Sequence, residues 1–266
     1  MKRVAIFGCG PAGMLAGHAA KMMKHQVTIF SRKQKSAMLG AQYMHRSIPH
    51  LSIAGPVKLE YMLEGTIEGY REKIYGDVGN YDELYVSPQL FIGTHEAWSI
   101  RECYNLLWFY YNHLVMDVDI DQRMIQTLVG SYDVIISTIP APLLCYQPER
   151  HQFKSVSVYI DDLWNGPATQ GDSNIVICNG RKYDERYPGH TGWYRTSLIF
   201  GHSNTEWISQ AKVPNSRRGR GAIVRKPIST DCDCWPQIIR TGRYGAWRKG
   251  VLSHEAFELA LEVLSQ

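Results

Sequence analysis

Residues 4–13 read Val-Ala-Ile-Phe-Gly-Cys-Gly-Pro-Ala-Gly, and this stretch decides the fold of the chain. An apolar run leads into the glycines, a helical run follows them, and a second apolar run comes at residues 27–30. This order predicts a strand, a glycine turn, a helix and a parallel strand. Gly8 allows a sharp turn, Gly10 lets the backbone approach a pyrophosphate, and Gly13 lets the helix pack closely on the strand. The stretch therefore predicts a dinucleotide-binding unit, with a tight turn that binds no ligand as the alternative.

The phosphates of such a ligand are expected at the N-terminus of the first helix, where free N–H groups and the helix dipole face an anion. The contacts expected there come from Gly8, Gly10, Pro11, Ala12 and Gly13. The end of the second strand usually offers Asp or Glu to a ribose hydroxyl. This chain instead has Ser31, followed by Arg32 and Lys33. In a nicotinamide enzyme the two basic residues favour NADP, whereas in a flavoprotein Ser31 or a backbone group would hold the ribose.

Length and composition are those of an ordinary globular protein. With 266 residues, 44% of them apolar and 20% charged, the chain is expected to form one large domain or two closely joined ones. No apolar run approaches the roughly 18 residues of a membrane span. The N-terminus is already a fold element, so no signal peptide is expected. The net charge of +4 permits an anionic substrate but does not indicate a nucleic-acid surface.

The six cysteines favour a reducing environment. Most of them lie in apolar runs, where a buried free thiol is typical. Cys232 and Cys234 form a C-x-C pair, but no second pair exists, so no metal site is expected. Reduced thiols fit a cytoplasmic location best.

The rest of the chain mixes helices with strands of alternating polarity. Helices are predicted at residues 98–112, with Ser99 as N-cap, at residues 122–129, and at the C-terminus after Ser253. Strands are predicted at residues 114–120, 133–140, 155–160, 174–178 and 196–201. The strands in the middle of the chain favour an antiparallel sheet with unequal faces.

Two stretches show few regular elements. Residues 51–97 are mixed, with turn signals but little periodicity. Residues 209–222 contain Arg217, Arg218 and Arg220 among small and polar residues, which predicts a basic surface loop or, as the alternative, an anion-binding lid.

This order of elements resembles the glutathione-reductase-like FAD proteins, in particular the branch with amine oxidases, protoporphyrinogen oxidase and UDP-galactopyranose mutase. Three segments carry the resemblance: the glycine loop, the strand Asp-Val-Ile-Ile-Ser-Thr-Ile-Pro at residues 133–140, and Gly242-Arg243 ahead of Gly250-Val251-Leu252. The chain departs from the family at Ser31, and also at Gly40-Ala41-Gln42-Tyr43, where the usual double-glycine arginine motif is reduced.

The resemblance implies an α/β fold, in which a Rossmann-like FAD-binding domain carries an inserted antiparallel-sheet substrate domain. The FAD-binding domain is expected at residues 1–50, 105–150 and 225–266. The substrate domain is expected at residues 51–104 and 151–224.

The resemblance also implies FAD as the cofactor. Gly242 and Arg243 are then expected beside the flavin. A helix that begins at Gly250 is expected to point the N–H groups of Val251 and Leu252 at the pyrimidine end of the ring. The further residues expected to contact the cofactor are Ser31, Arg32, Lys33, Gln42, Tyr43, Val118, Thr138 and Pro140.

No acid–base pair stands out among the polar residues. The candidate catalytic residues are His45, Arg195 and Arg243. The candidate substrate-pocket residues are His45, Trp193, Tyr194, Arg195 and His202. Arginine binds a carboxylate or phosphate through two donors, and aromatic rings can stack on a substrate. Core packing is the alternative role for each of these side chains.

The sequence therefore predicts an FAD-dependent oxidoreductase that acts on a small or nucleotide-linked substrate, with amine-oxidase-like chemistry as one form. The alternatives are a flavin-dependent nucleotide-sugar mutase without net redox change, an NADP-binding reductase, and a non-catalytic dinucleotide-binding protein. NAD(P)H is a candidate reductant, and neither a membrane nor a nucleic-acid partner is indicated.

Overall fold

The computed structural model describes residues 1–38, 43–76, 87–168, 173–208, 219–248 and 251–266. The strands are β1 (Arg3–Phe7), β2 (Gln26–Ser31), β3 (Tyr43–Met44), β4 (Val57–Gly65), β5 (Thr94–Ser99), β6 (Val115–Asp117), β7 (Val134–Ser137), β8 (His151–Asp161), β9 (Ile175–Gly180), β10 (Trp193–Ile199), β11 (His202–Trp207), β12 (Gly219–Thr230) and β13 (Ile238–Arg240). The helices are α1 (Pro11–Met22), α2 (Ile67–Tyr75), α3 (Ile100–Tyr111), α4 (Gln122–Val129), α5 (Ala141–Leu144), α6 (Pro188–Thr191), α7 (Gly242–Gly245) and α8 (Glu255–Ser265). Short 3₁₀ turns lie at Pro88–Phe91, Asn112–Leu114 and Pro148–Arg150.

The first sheet is parallel and is built around β1. Within the described ranges its strands follow the order β13-β7-β1-β2-β6, and every neighbouring pair is parallel. On one side of β1 the sheet extends through β2 to β6, and on the other side it extends through β7 to β13. The strand order therefore reverses between β1 and β7, and ligands of such sheets bind at the carboxyl ends of the strands at this switch point.

The two faces of this sheet have separate cores. Val4 and Ile6 face α1, α3 and α8, and Ala5 and Phe7 face the opposite side with Ile125 of α4. This alternation gives a parallel strand that is buried on both faces, as its apolar sequence predicts.

The second sheet is mixed and holds the middle of the chain. Among the described residues its order is β12-β8-β11-β10-β9-β4-β5-β3. β4 pairs parallel with β9, and the other neighbours are antiparallel. The α/β fold class predicted from the sequence is thus confirmed, with a Rossmann-like parallel sheet and a second, largely antiparallel sheet. The domain boundaries given above stay a prediction.

Several predicted elements are present close to their expected limits. The helix after Ser99 begins as predicted, since the Ser99 hydroxyl accepts a hydrogen bond from the Glu102 N–H at 3.2 Å. The helix at residues 122–129 is α4, and the buried strand at 133–140 contains β7.

The sequence analysis was wrong about residues 51–97, which contain β4, α2 and β5. The signal for β4 was present, because its apolar side chains alternate over Val57–Gly65. Helix α2 begins where the Thr66 hydroxyl accepts a hydrogen bond from Gly69 N–H at 3.0 Å.

The start of the C-terminal helix was also predicted wrongly. Helix α8 begins at Glu255 with His254 as its N-cap, so it starts neither at Gly250 nor after a Ser253 cap. The Glu255 carboxylate reaches back and accepts a hydrogen bond from the Leu252 N–H at 3.0 Å. Residues 251–252 are therefore held outside the helix.

The described residues contain no helix that is both long and apolar enough to cross a bilayer.

Replacing Gly13 with alanine is expected to destabilise the chain, because a Cβ there would overlap the carbonyl oxygen of Gly8. Relieving that overlap should lower the free energy of unfolding by about 1–3 kcal/mol. Thermal denaturation measures the change. Gly130→Ala is the matched control, since a Cβ at Gly130 meets no atom within 4 Å. Equal melting temperatures for the two variants would contradict the close crossing of α1 over β1.

Candidate functional site

Three segments that are distant in the sequence meet at the carboxyl edge of the parallel sheet. They are the glycine loop after β1, the Thr138–Pro140 segment after β7, and α7 after β13. The backbone N–H and the hydroxyl of Thr138 both donate to the carbonyl of Phe7 at 2.9 Å. A Cβ on Gly242 would lie 3.0 Å from the Cβ of Ala12. The structure thus brings together the three segments that carry the sequence resemblance.

The glycine loop has two crowded positions and one open position. Gly8 has φ +101°, and a Cβ there would lie 2.6 Å from the Thr138 hydroxyl. Gly13 is crowded by the Gly8 carbonyl, as described above. In contrast, a Cβ on Gly10 would meet only the Ser36 hydroxyl at 3.7 Å. The loop is therefore held tightly at both ends and leaves room at its middle glycine.

The open position lies directly before α1. Gly10 is the N-cap of this helix, and no described side chain accepts from its first-turn N–H groups. Pro11 stands at the first helical position, where its missing N–H costs nothing. The N–H groups of the first turn and the helix dipole therefore face the space beside Gly10, which suits a phosphate.

Helix α3 supports the loop from behind. The buried Tyr104 hydroxyl donates to the Cys9 carbonyl at 2.8 Å and accepts from the Ser36 N–H at 3.1 Å. Burial raises the pKa of Tyr104, so it stays protonated and can donate. The sequence analysis did not find this residue, because its link to the loop spans 95 positions.

The corner at the end of β2 carries two carboxylates that the sequence analysis missed. Arg32 forms an ion pair with Asp119, with its Nη2 donating to Oδ2 at 2.9 Å. The backbone N–H of Lys33 donates to Asp117 at 2.8 Å. Asp117 is the last residue of β6, and Asp119 follows shortly after it. Strand β6 pairs with β2, so both carboxylates lie beside the end of β2. A hydrogen bond from Arg32 lowers the pKa of Asp119, so this carboxylate is ionised at neutral pH.

This corner also places Ser31 and Val118 next to each other. The Val118 N–H donates to the Ser31 carbonyl at 3.1 Å. Since Asp119 pairs with Arg32, the positive charge that favoured a 2′-phosphate is balanced in this structure. Both side chains are largely exposed, at 74% and 70%, so the pair is weak and a ligand can displace it.

A cluster of aromatic and imidazole rings lies on the mixed sheet near β3. It consists of Tyr43, His45, Tyr61 and His95. The hydroxyls of Tyr43 and Tyr61 are hydrogen-bonded to each other. The ring of His45 lies 5.3 Å from that of Tyr43 and 6.4 Å from that of His95. The two site residues predicted from this stretch, Tyr43 and His45, are thus in direct contact.

The imidazole of His45 is neutral at pH 7. Burial lowers its pKa, and His254 and His95 lower it further by repelling a second positive charge. Burial also lowers the pKa of His254, the N-cap of α8. A neutral ring nitrogen can accept a proton, so His45 has the ionisation state that a general base needs.

Arg195 is paired inside the sheet. Its Nε donates to Glu206 at 2.6 Å across the β10–β11 pair, and its Nη2 contacts the same oxygen at 2.5 Å. The sequence left two roles open for Arg195, anion binding through two donors and core packing, and in this structure Nε and Nη2 both face Glu206. The residue therefore serves the sheet in this structure, and we do not assign it to anion binding.

Trp193, Tyr194 and His202 do not form a substrate surface with it. Trp193 is 2% exposed and packs with Trp207, and Tyr194 is 5% exposed and packs with Val158. His202 is exposed at the tight β10–β11 turn. Both aromatics are core residues, which is the alternative role that the sequence left open for them.

Two basic side chains, Arg243 of α7 and Lys226 of β12, lie close enough for the charge of Arg243 to act on Lys226. Arg243 is exposed in α7, and no described acidic side chain lies within ion-pair distance of it. The Nζ of Lys226 donates to the Ile74 carbonyl at 3.0 Å. The pKa of Lys226 is lowered to about 7, mainly by burial. The negative charge of Glu206 raises this pKa, whereas the positive charges of Arg195 and Arg243 lower it. The sequence analysis missed Lys226, because nothing in its local pattern marks it as buried.

Some predicted contacts lie outside the described residues. These are Gln42 and Gly250, together with Arg217 and Arg218 of the basic stretch. Among the residues predicted beside Gly250, Val251 is buried and Leu252 gives its N–H to Glu255.

The fold resembles those of several solved flavoenzyme structures. The described architecture matches a reduced UDP-galactopyranose mutase with a TM-score of 0.58 and 10% identity, over 100% of this chain and 95% of that chain. It matches CtdE in complex with FAD with a TM-score of 0.55 and 11% identity, over 99% and 83%. It also matches 2-methyl-3-hydroxypyridine-5-carboxylic acid oxygenase with a TM-score of 0.53 and 10% identity, over 99% and 83%.

At these identities the comparisons show a shared fold alone. No protein-family model matches the chain. No curated protein matches it by sequence.

Replacing His254 with glutamine is expected to reduce the loss of folding stability at acidic pH. Because folding lowers the pKa of His45 and of His254, their neutral forms stabilise the fold above the unfolded pKa of about 6.5. That stability is lost as the pH falls through their folded pKa values. The loss of melting temperature between about pH 7 and pH 5 should therefore be smaller in His254→Gln than in the wild type.

The exposed His113 provides the control for this measurement. His113→Gln should keep the wild-type pH dependence. If His254→Gln follows the wild-type curve as well, folding does not lower the pKa of His254.

Proposed function

We propose that this chain binds FAD and is a flavin-dependent oxidoreductase. The observation that carries the proposal is the open place at Gly10, bounded by the N-terminus of α1 at the switch point of the parallel sheet. A dinucleotide pyrophosphate fits this place, because it needs backbone N–H donors and the absence of a side chain. The shared fold with FAD-binding enzymes favours FAD over other dinucleotides.

The residues that would hold the cofactor follow from their places along this edge. The pyrophosphate would lie against Gly8, Gly10, Pro11, Ala12 and Gly13. The adenosine would lie toward Ser31 and Val118, with Arg32 and Lys33 at the rim. Thr138 and Pro140 would border the middle of the cofactor, and Gly242, Arg243 and Val251 would border the flavin.

NADP is the weaker candidate for this site. A 2′-phosphate is bound by cationic side chains, and Arg32 would first have to leave its exposed ion pair with Asp119. FAD carries no 2′-phosphate and needs only a ribose contact, which Ser31 can supply.

Bound FAD would supply two-electron redox chemistry, and the protein would supply position and electrostatics. Neutral His45 can accept a proton from a substrate at a ring nitrogen, and the Tyr43–Tyr61 hydroxyl pair can hold a polar group beside it. The exposed guanidinium of Arg243 favours a substrate that carries negative charge. We therefore propose a small or nucleotide-linked anionic substrate, with Arg243 as its anion ligand and His45 as the proton acceptor.

A flavin-dependent mutase without net redox change is the second candidate. It is favoured by the match to UDP-galactopyranose mutase, which extends over almost the full length of both chains. The positive charge around Arg243 also suits a nucleotide diphosphate sugar.

Replacing Gly10 with leucine is expected to remove the cofactor while leaving the fold intact. Gly10 has φ −68°, which any residue adopts, and its side-chain position is open. The leucine would therefore fill only the pyrophosphate place. Wild-type protein should purify with flavin absorbance and release FAD on denaturation, and Gly10→Leu should bind FAD at least about 100-fold more weakly, as expected when a close backbone contact is blocked.

Gly130→Leu is the matched control, because it adds the same side chain at an exposed helix end. It should keep the wild-type affinity, and circular dichroism checks that both variants are folded. Retention of FAD by folded Gly10→Leu would refute the cofactor site.

Electron turnover is expected to separate the two candidate functions. For an oxidoreductase, the flavin absorbance of the holoenzyme should bleach with NAD(P)H or an amine and recover with oxygen over many cycles. A mutase should instead convert a nucleotide sugar only after chemical reduction and consume no further electrons. Conversion of UDP-galactopyranose under dithionite without oxygen consumption would replace the first candidate by the second.

A further inference from the structure

Three cysteine thiols meet beside the edge strand of the parallel sheet. Cys145 follows α5, and Cys232 and Cys234 precede β13. The Sγ atom of Cys145 lies 3.1 Å from that of Cys232 and 3.2 Å from that of Cys234. The sequence analysis expected no metal site, because it considered only the C-x-C pair. The third thiol belongs to Cys145, which is 87 positions from Cys232 in the sequence. Only the folded chain brings it to the other two.

We propose that Cys145, Cys232 and Cys234 form a binding site for Zn²⁺, with three thiolate ligands and the fourth position left to solvent. Thiolate sulfur is a preferred ligand of zinc, and tetrahedral sites with three protein ligands and an open fourth position are well known. No other described His, Cys, Asp or Glu joins the cluster. Cys232 and Cys234 are half-buried, so water can reach the fourth position.

The distances favour a metal over a disulfide. All three are free cysteines, and a disulfide between any two would leave the third thiol unpaired beside it. A tetrahedral zinc ion with Zn–S distances of about 2.3 Å places its sulfurs about 3.8 Å apart. The two distances from the Cys145 sulfur therefore have to increase by only about 0.6 Å to admit the ion.

The sulfur atoms also receive hydrogen bonds of the kind that a thiolate needs. The Gln147 N–H donates to the Cys145 sulfur at 3.3 Å, and the Cys234 N–H donates to the Cys232 sulfur at 3.3 Å. The Arg240 guanidinium lies 3.7 Å from the Cys232 sulfur. Such donors hold the ligands in place and offset their negative charge, which is the usual role of groups around a metal centre.

Both segments that carry the cysteines are fastened before any ion binds. Arg150 donates to Asp231 at 3.1 Å and to Asp233 at 3.0 Å, and these two residues flank Cys232. Trp235 donates to the Leu144 carbonyl at 2.9 Å, next to Cys145. The site is therefore preorganised, because the loop and the end of α5 are tied to each other by side chains outside the cluster.

A bound ion would tie the segment after β7 to the segment before β13. Strand β13 leads directly into Thr241 and α7, which border the proposed cofactor edge. The zinc site would thus stabilise that edge without belonging to it, and its existence does not depend on the identity of the cofactor.

The test is metal binding by the full-length protein, purified under reducing conditions and freed of metal by a chelator. Titration with Zn²⁺ should show one tightly bound equivalent per chain. Titration with Co²⁺ should give a sulfur-to-cobalt charge-transfer band and the intense visible bands of tetrahedral cobalt. X-ray absorption of the zinc form should show three sulfur neighbours at about 2.3 Å.

The cysteine variants locate the site. Cys145→Ser, Cys232→Ser and Cys234→Ser should each weaken zinc binding at least tenfold. Cys103→Ser is the control, since Cys103 is a buried thiol on another helix and should leave binding unchanged. If a variant fails to fold, the cobalt spectrum of the wild-type protein still tests whether thiolates bind the metal.

Three results would overturn the proposal: no stoichiometric zinc binding by the reduced wild type, a cobalt spectrum without thiolate charge transfer, or equal losses in the control and the cluster variants.

Discussion

The rest of the structure depends on the close crossing of α1 over the end of β1. The Gly13 backbone lies so near the Gly8 carbonyl that no side chain fits between them. This contact sets the direction in which α1 leaves the sheet and brings its N-terminus to the carboxyl edge. Because β1 has β2 on one side and β7 on the other, that N-terminus lies at the switch point of the strand order. A helix dipole and a row of N–H donors are thus fixed where a phosphate can reach them.

The carboxyl edge is then closed mainly by contacts to the backbone. Thr138 binds the Phe7 carbonyl with two donors, and a Cβ on Gly245 would lie 2.5 Å from the Ser137 carbonyl. Two backbones can approach this closely only where one of the residues is a glycine. These close contacts hold segments that are far apart in the sequence in one arrangement. Gly10 is the exception, since its glycine is not required by its neighbours. At this position the open space lies directly beside the N-terminus of α1, and this combination is what indicates a phosphate ligand.

Those parts of the fold that rest on local patterns could be predicted. Apolar periodicity and the glycine spacing indicated β1, α1 and β2, and the Ser99 cap indicated α3. The ring contact of Tyr43 with His45 also joins near neighbours in sequence. Partners that come from distant segments could not be predicted: Asp119 for Arg32, Glu206 for Arg195, and Cys145 for the C-x-C pair. Without them, an arginine looked like an anion ligand and a cysteine pair looked isolated.

The sequence by itself determined the dinucleotide-type unit, since glycine spacing and strand–helix order act over a few residues and need no distant contact. It also determined that a second, largely antiparallel sheet follows. The tertiary structure decided which polar groups remain available for a ligand, because availability depends on whether a partner arrives from elsewhere in the chain. It left the place at Gly10 open, paired Arg195 with Glu206, buried Trp193, and gathered three thiols at one edge of the sheet.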